Sequence, residues 1–211
     1  MVHVKICGIT NLDDALASID AGAHALGFNF YERSPRYIEP LAARDIIQQL
    51  PPSIMCVGVF VNLPAPEQVR RIAGEAGVNA VQLHGDESPA YCRELKDLFV
   101  IKALRVAGDF EPEHAAQYET EAILLDAFSP AVFGGAGHTF DWSVAMRTRP
   151  LVGKLFLAGG LNEQNVSAAI EAVQPYAVDA CSGLESAPGR KDAAKVRAFI
   201  EAVCGVGRRG Q

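Results

Sequence analysis

Met55-Cys56-Val57-Gly58-Val59-Phe60-Val61 is an apolar run interrupted only by glycine. A strand with one wet face alternates apolar and polar residues, whereas an unbroken run is buried on both faces, the mark of a parallel sheet covered by helices. On either side of it, residues 41–50 and 66–76 carry apolar positions at helical spacing. The same unit recurs along the chain. Strand-like runs occupy 3–8, 25–30, 55–62, 80–85, 100–106, 122–127, 154–160 and 177–182. Helical patterns follow at 11–21, 41–50, 66–76, 88–98, 112–119, 141–147, 163–173 and 192–203. Eight such units in 211 residues, about 26 residues each, match a single (β/α)8 TIM barrel, which can be as short as roughly 200 residues. An open doubly wound sheet usually starts with a glycine-rich dinucleotide turn, and the first turn here reads Cys7-Gly8-Ile9-Thr10-Asn11 instead. The barrel is assigned to residues 1–205, with 206–211 as a frayed tail.

Composition narrows the function. Hydrophobic residues make up 49% and charged residues 21%, ordinary globular usage that excludes wholesale disorder. A net charge of -6 argues against a nucleic-acid binder, and it obliges any site for an anionic substrate to be built from local donors. No apolar run reaches the roughly 18 residues that span a bilayer, and no secretory or transit leader precedes the first strand pattern. Five scattered cysteines without a C-x-x-C pair read as reduced thiols, which makes the cytoplasm the expected compartment.

Barrels of this kind carry their chemistry where strands end and βα loops begin. Lys5 and Cys7 close the first strand, Gln82 and His84 the fourth, Asp126 the sixth, and Asp179 and Cys181 the eighth. Alternation along a strand puts Lys5 on the same face as Cys7, and Gln82 on the same face as His84. Three glycine-rich segments fall at this end: the loop containing Gly135 and Gly137, the turn at Gly159 and Gly160, and Ser182-Gly183 after the last strand. Glycines let backbone N–H groups approach an anion, and loops after the seventh and eighth strands commonly hold phosphate. Taken singly, each could be an ordinary tight turn.

Lys5-Ile6-Cys7-Gly8-Ile9-Thr10, Ser34-Pro35-Arg36, Gln82-Leu83-His84-Gly85, Leu124-Leu125-Asp126, the 134–142 loop, Leu157-Ala158-Gly159-Gly160-Leu161 and Pro188-Gly189-Arg190-Lys191-Asp192 stand in register over essentially the whole chain. Together they resemble phosphoribosylanthranilate isomerase of tryptophan biosynthesis. One departure is Cys181, where that family often carries a small hydroxyl residue; it makes Cys181 a poor candidate for a binding contact. The resemblance implies a cofactor-free Amadori rearrangement of N-(5-phosphoribosyl)anthranilate. It implies Cys7 as the base and Asp126 as the acid, with Arg36 facing the anthranilate carboxylate. Asp179 would shape the site or hold a substrate hydroxyl, and Gly135, Gly137, Gly159, Gly160, Ser182 and Gly183 would hold the phosphate.

Each role has a plainer competitor. Free cysteines are usually inert core residues. For Cys7 to work near neutral pH its thiol must be shifted below about 8.5, and Lys5 is the nearby cation that could do so. Lys5 could equally be consumed in a buried ion pair with Asp126 or Asp179. Asp126 needs burial or a neighbouring carboxylate to raise it from about 3.9, or it is only a cap. Arg36 could cap a helix at the surface, although its planar fork of donors suits a carboxylate. His84 could be a core histidine as easily as a contact, and the remaining histidines form no ligand cluster, so no metal is expected. The rival functions are a ribonucleotide isomerase of histidine biosynthesis, indole-3-glycerol phosphate synthase and a non-catalytic phosphosugar-binding barrel. The first would use two aspartates, the second a lysine and a glutamate, and the third would have no need of both Cys7 and Asp126. The expected partner is a small phosphorylated molecule, with no nucleic acid or membrane, acting on a monomer or homodimer.

Overall fold

Eight parallel strands close on themselves in chain order, β1 bonding to β2 and so on until β8 returns to β1. The computed structural model describes residues 1–106, 110–126 and 142–209. The strands are β1 (His3–Cys7), β2 (Ala25–Asn29), β3 (Met55–Phe60), β4 (Ala80–Leu83), β5 (Phe99–Arg105), β6 (Ala122–Asp126), β7 (Leu155–Ala158) and β8 (Ala177–Ala180). The helices are α1 (Leu12–Ala21), α2 (Pro40–Ile47), α3 (Pro66–Ala76), α4 (Pro89–Glu94), α5 (Ser143–Thr148), α6 (Val166–Val173) and α7 (Ala193–Arg209).

Local sequence accounts for where helices start and stop. Proline opens α2, α3 and α4, where its missing N–H costs nothing. Asn11 accepts from the Asp14 N–H at the start of α1, and Gly22, with φ of 110°, ends it in a left-handed turn. The expected helix at 112–119 is instead a 3-10 turn, Pro112–Gln117. Its bonds span three residues (His114 N–H to Glu111 O, Tyr118 N–H to Ala115 O), and Tyr118 is already extended. The turn begins at Pro112, which has no N–H to donate, and stops where Tyr118 turns extended, so its bonds close over three residues. At the other end, residues 206–209, assigned from sequence to the tail, continue α7. The sequence pattern gave no warning of a short hairpin, β9 (Glu185–Ala187) and β10 (Arg190–Lys191), that turns through Pro188-Gly189.

Strand alternation produces two nested cores. Val4, Ile6, Leu26, Phe28, Leu83, Leu125 and Val178 point outward into the layer shared with the helices. Ala25, Val57, Ala80, Ile101, Ala103, Ala122, Leu124, Phe156 and Ala177 point inward and fill the lumen. Ala103 opposite Leu124 and Ala158 opposite Asp126 leave room at the upper rim, the carboxyl ends of the strands, for longer polar side chains.

One polar clamp fixes that rim. Lys102, 1% exposed, donates from Nζ to Leu83 O at 3.2 Å, Gly85 O at 2.7 Å and Glu87 Oε2 at 2.7 Å. Glu87 Oε1 in turn accepts from the N–H of Asn62 at 2.8 Å, so the clamp ties the loops after β3 and β4 together. Breaking a buried pair from one side leaves an uncompensated charge, at a cost of about 3–5 kcal/mol. Lys102→Met should therefore lower the urea midpoint by that amount of stability. The double variant Lys102→Met with Glu87→Gln should lose less than Lys102→Met alone.

Candidate active site

At the carboxyl ends of the strands lies a cavity of about 370 Å³. A larger hollow of about 760 Å³ sits beside α2 and α3, outside the barrel mouth; its walls include the charged side chains Glu32, Arg33, Glu39, Arg71 and Glu75 but none of the residues that close the strands at 5–7, 82–84, 126 or 179–181. The smaller cavity gathers Cys7, Arg36, His84, Asp126, Asp179 and Cys181, together with Gly159, Gly160, Ser182 and Gly183. Gly135 and Gly137 lie outside the described residues.

Cys7 ends β1 and reaches the cavity because Gly27 stands beside it: a Cβ at position 27 would come within 2.7 Å of Cys7 Sγ and 3.2 Å of Lys5 Nζ. Lys5, wholly buried, makes its ion pair with Asp179 at 2.9 Å and not with Asp126. It is also hydrogen-bonded to Cys7, so both sequence roles for Lys5 are present at once. The Cys7 thiol is held well below its ordinary value, first by a hydrogen bond from Cys181, then by the charges of Lys5 and Lys191, against the opposing effect of burial. Burial pushes the Asp179 carboxyl up to about 7, Lys5 pulling it down and a Cys7 thiolate pushing it further up. The Lys5 ammonium holds its proton above the usual lysine range, because Asp179 and Cys7 outweigh burial.

Asp126 ends β6, three strands round the barrel from β1. Its side chain is 28% exposed, and its ion-pair partner is His84, Nε2 to Oδ2 at 3.4 Å. The deep burial or second carboxylate expected from sequence is therefore not what surrounds it. Gln82 Nε2 lies 2.8 Å from His84 Nδ1, which leaves Nε2 to carry the ring hydrogen toward Asp126. His84, left open from sequence, is thus a contact of Asp126; the shared face of Gln82 and His84 was the signal for it.

Arg36 enters from the loop after β2 and is gripped by Glu185, Nε to Oε1 at 2.8 Å and Nη2 to Oε2 at 2.6 Å. Lys191 reaches the same carboxylate at 3.1 Å. These cations hold the Glu185 carboxyl below the usual range although burial opposes them. Gly8 makes the crossing possible: it adopts φ of 78°, and a Cβ there would meet Arg36 Cδ at 2.8 Å and Cys181 Sγ at 2.9 Å. Sequence reasoning missed Glu185 as the partner of Arg36 and Lys191 as the second cation on that carboxylate, although Lys191 stood within the 188–192 motif. Gly183 is equally constrained, a Cβ there falling 2.6 Å from Leu161 O, and it draws the turn after β8 against the turn after β7. Among the described residues, no group of three or more histidine, cysteine or acidic side chains is arranged to hold a metal.

A family model described as N-(5'phosphoribosyl)anthranilate (PRA) isomerase matches residues 4–202. The N-(5'-phosphoribosyl)anthranilate isomerase of Pelobacter propionicus is 50% identical over 200 residues, 95% of this chain and 94% of the relative. The crystal structure of phosphoribosyl anthranilate isomerase from Thermotoga maritima superposes with a TM-score of 0.90 at 48% identity, covering 97% of this chain and all of that one. A structure of such an isomerase in complex with reduced 1-(o-carboxyphenylamino)-1-deoxyribulose 5-phosphate gives a TM-score of 0.87 at 46% identity, covering 97% of this chain and all of that one. With the match running from β1 into the last helix and half the residues identical end to end, the chain belongs to the N-(5'-phosphoribosyl)anthranilate isomerase family.

Proposed function

We propose that the chain performs, in tryptophan biosynthesis, the isomerisation its family is named for, with Cys7 as base and Asp126 as acid. The substrate is N-(5'-phosphoribosyl)anthranilate and the product 1-(2-carboxyphenylamino)-1-deoxyribulose 5-phosphate, an aldose–ketose rearrangement that calls on no cofactor. The observation that carries the assignment is that a thiol beside a buried ammonium and a carboxylate beside a histidine face one cavity from separate walls. The two halves of an acid–base reaction need separately tuned groups on one substrate.

Asp126 gives its proton to the furanose ring oxygen. The C1–O bond breaks and the anilino nitrogen supplies the electrons, leaving a protonated Schiff base. Cys7 then takes the proton from C2. The C–H pair becomes the C1–C2 double bond, the imine nitrogen recovers its lone pair, and an enolamine results. Return of a proton to C1 and loss of the enol proton give the ketone. Lys5 stabilises the Cys7 thiolate, and the Nε2–H of His84 holds Asp126 in place.

Arg36 turns its remaining Nη1 donors to the anthranilate carboxylate, Glu185 fixing the plane of the guanidinium from behind. Asp179 takes a substrate hydroxyl on the oxygen not bonded to Lys5. The phosphate sits against the N–H groups of Gly159, Gly160, Ser182 and Gly183, with Gly135 and Gly137 as further phosphate-binding residues; this local nest overcomes the net charge of -6. The protein works in the cytoplasm, as one barrel domain that includes the whole of α7, as a monomer or homodimer without nucleic-acid or membrane partners. No helix among the described residues is long and apolar enough to cross a membrane.

Loss of anthranilate fluorescence, followed with substrate generated in place, tests the roles directly. Cys7→Ser and Asp126→Asn should each lower kcat by about 10²–10⁴-fold, the usual worth of one acid–base group, while product affinity stays near wild type. Unchanged turnover in Cys7→Ser would remove Cys7 from the mechanism. A base works only when deprotonated, so kcat/KM should fall as the pH drops through the Cys7 titration. That acid limb should lie below the ordinary thiol value of about 8.5, and Lys5→Met should move it upward.

A further inference from the structure

Cys181 exchanges no proton with substrate in the reaction just described and bears on it only through its hydrogen bond to Cys7, yet its placement is specific. The β1–β8 register sets Lys5 opposite Asp179 and Ile6 opposite Ala180; Cys7 is the next residue on β1, and Cys181 is the first residue past the end of β8. There the chain leaves strand geometry, with ψ of -88° at Cys181, and the two thiols meet in a side-chain hydrogen bond. Sulfurs in contact across neighbouring chain segments are the starting geometry a disulfide needs. Alternation turns both residues to the lumen, since Ile6 and Ala180 before them pack outward against the helices. The Cys181 thiol is shared between the Cys7 sulfur and Glu185 Oε1, 3.9 Å away, and both cysteines line the cavity that admits substrate, so a small solute reaches them. Around them stand Lys5, Lys191 at 3.8 Å from Cys181 Sγ, and Arg36. The other buried thiols differ: burial alone pushes Cys56 up to about 11, and burial dominates at Cys92, also near 11.

We propose that Cys7 and Cys181 form a peroxide-reactive thiol pair that closes to an intramolecular disulfide and reversibly silences the site. The Cys7 thiolate attacks one oxygen of hydrogen peroxide. The S–O bond forms, the O–O bond breaks, and the departing hydroxide takes up a proton as water, leaving Cys7 as sulfenic acid. The Cys181 sulfur attacks the Cys7 sulfur; the S–S bond forms, the S–O bond breaks, and a second water leaves with the Cys181 proton. Two thiols have supplied two electrons to one peroxide. The bond removes the lone pair that takes the C2 proton, and it keeps Cys7 from advancing to the irreversible sulfinic state. Only the loss of activity rests on Cys7 being the base; the formation of the bond does not.

The test is to treat the purified full-length protein with a small molar excess of hydrogen peroxide. Remaining thiols are then blocked and the protein is digested with trypsin without reduction. Mass spectrometry should find peptides 6–33 and 155–190 joined, with activity lost in step with that species and recovered on adding dithiothreitol. In Cys181→Ser, measured against its own untreated activity, no joined species forms, Cys7 advances to the sulfinic acid, and dithiothreitol restores nothing. Wild-type Cys7 reaching the sulfinic state without the joined peptides would overturn the pairing, as would recovery by dithiothreitol in Cys181→Ser. Joined peptides with activity intact would overturn the silencing and the role of Cys7 as base, while the bond itself would stand.

Discussion

A lysine ammonium with no solvent exposure, bonded to an aspartate that is itself buried, sets the terms for everything around it. Lys5 occupies the lumen where the barrel would otherwise carry a methyl-bearing side chain. Taking both charges out of water costs several kcal/mol per ion before their attraction returns any of it. The compensation is chemical: the same ammonium stands within hydrogen-bond reach of Cys7 and biases that thiol toward its anion. The lumen is shaped to accept it, by Gly27 alongside and by alanines at the neighbouring inward positions.

The second structural theme is the sharing of one carboxylate. Glu185 meets Arg36 from the β2 loop and Lys191 from β10. Two cations on one carboxylate leave the arginine oriented and the local charge positive, on a chain whose overall charge is negative. A bidentate grip through Nε and Nη2 also restricts the direction from which a second carboxylate can approach, which converts a flexible side chain into a directional donor. Gly8 and Gly183 are the backbone side of the same arrangement, since each lets two loops approach more closely than a Cβ would allow.

Barrel topology was legible because it is written in repeated local signals: apolar runs such as 55–61, helical spacing between them, and no dinucleotide turn after the first strand. The placement of Cys7, Asp126 and Asp179 at strand ends followed from counting alternation. What remained hidden depended on contacts between distant segments. Lys5 chose Asp179 over Asp126, a choice fixed by β8 lying beside β1, which barrel closure decides and local sequence does not. Asp126 gained a histidine neighbour because β4 and β6 face the same cavity. The 3-10 turn at Pro112–Gln117 was missed because its residue pattern is that of a short helix, and the pattern does not tell a three-residue bond from a four-residue one. The β9–β10 hairpin looked like loop because its strands are too short to show a period.

Lys5 and Asp179 are 174 positions apart. During synthesis the chain therefore exposes its lysine long before the matching aspartate leaves the ribosome, and a partial barrel that buried Lys5 early would hold an unpaired charge. At a cost of about 3–5 kcal/mol for such a charge, incomplete chains are held open, and closure waits for the eighth strand. The ion pair thus ties the first strand to the last, and the buried lysine is compensated only once β8 lies beside β1.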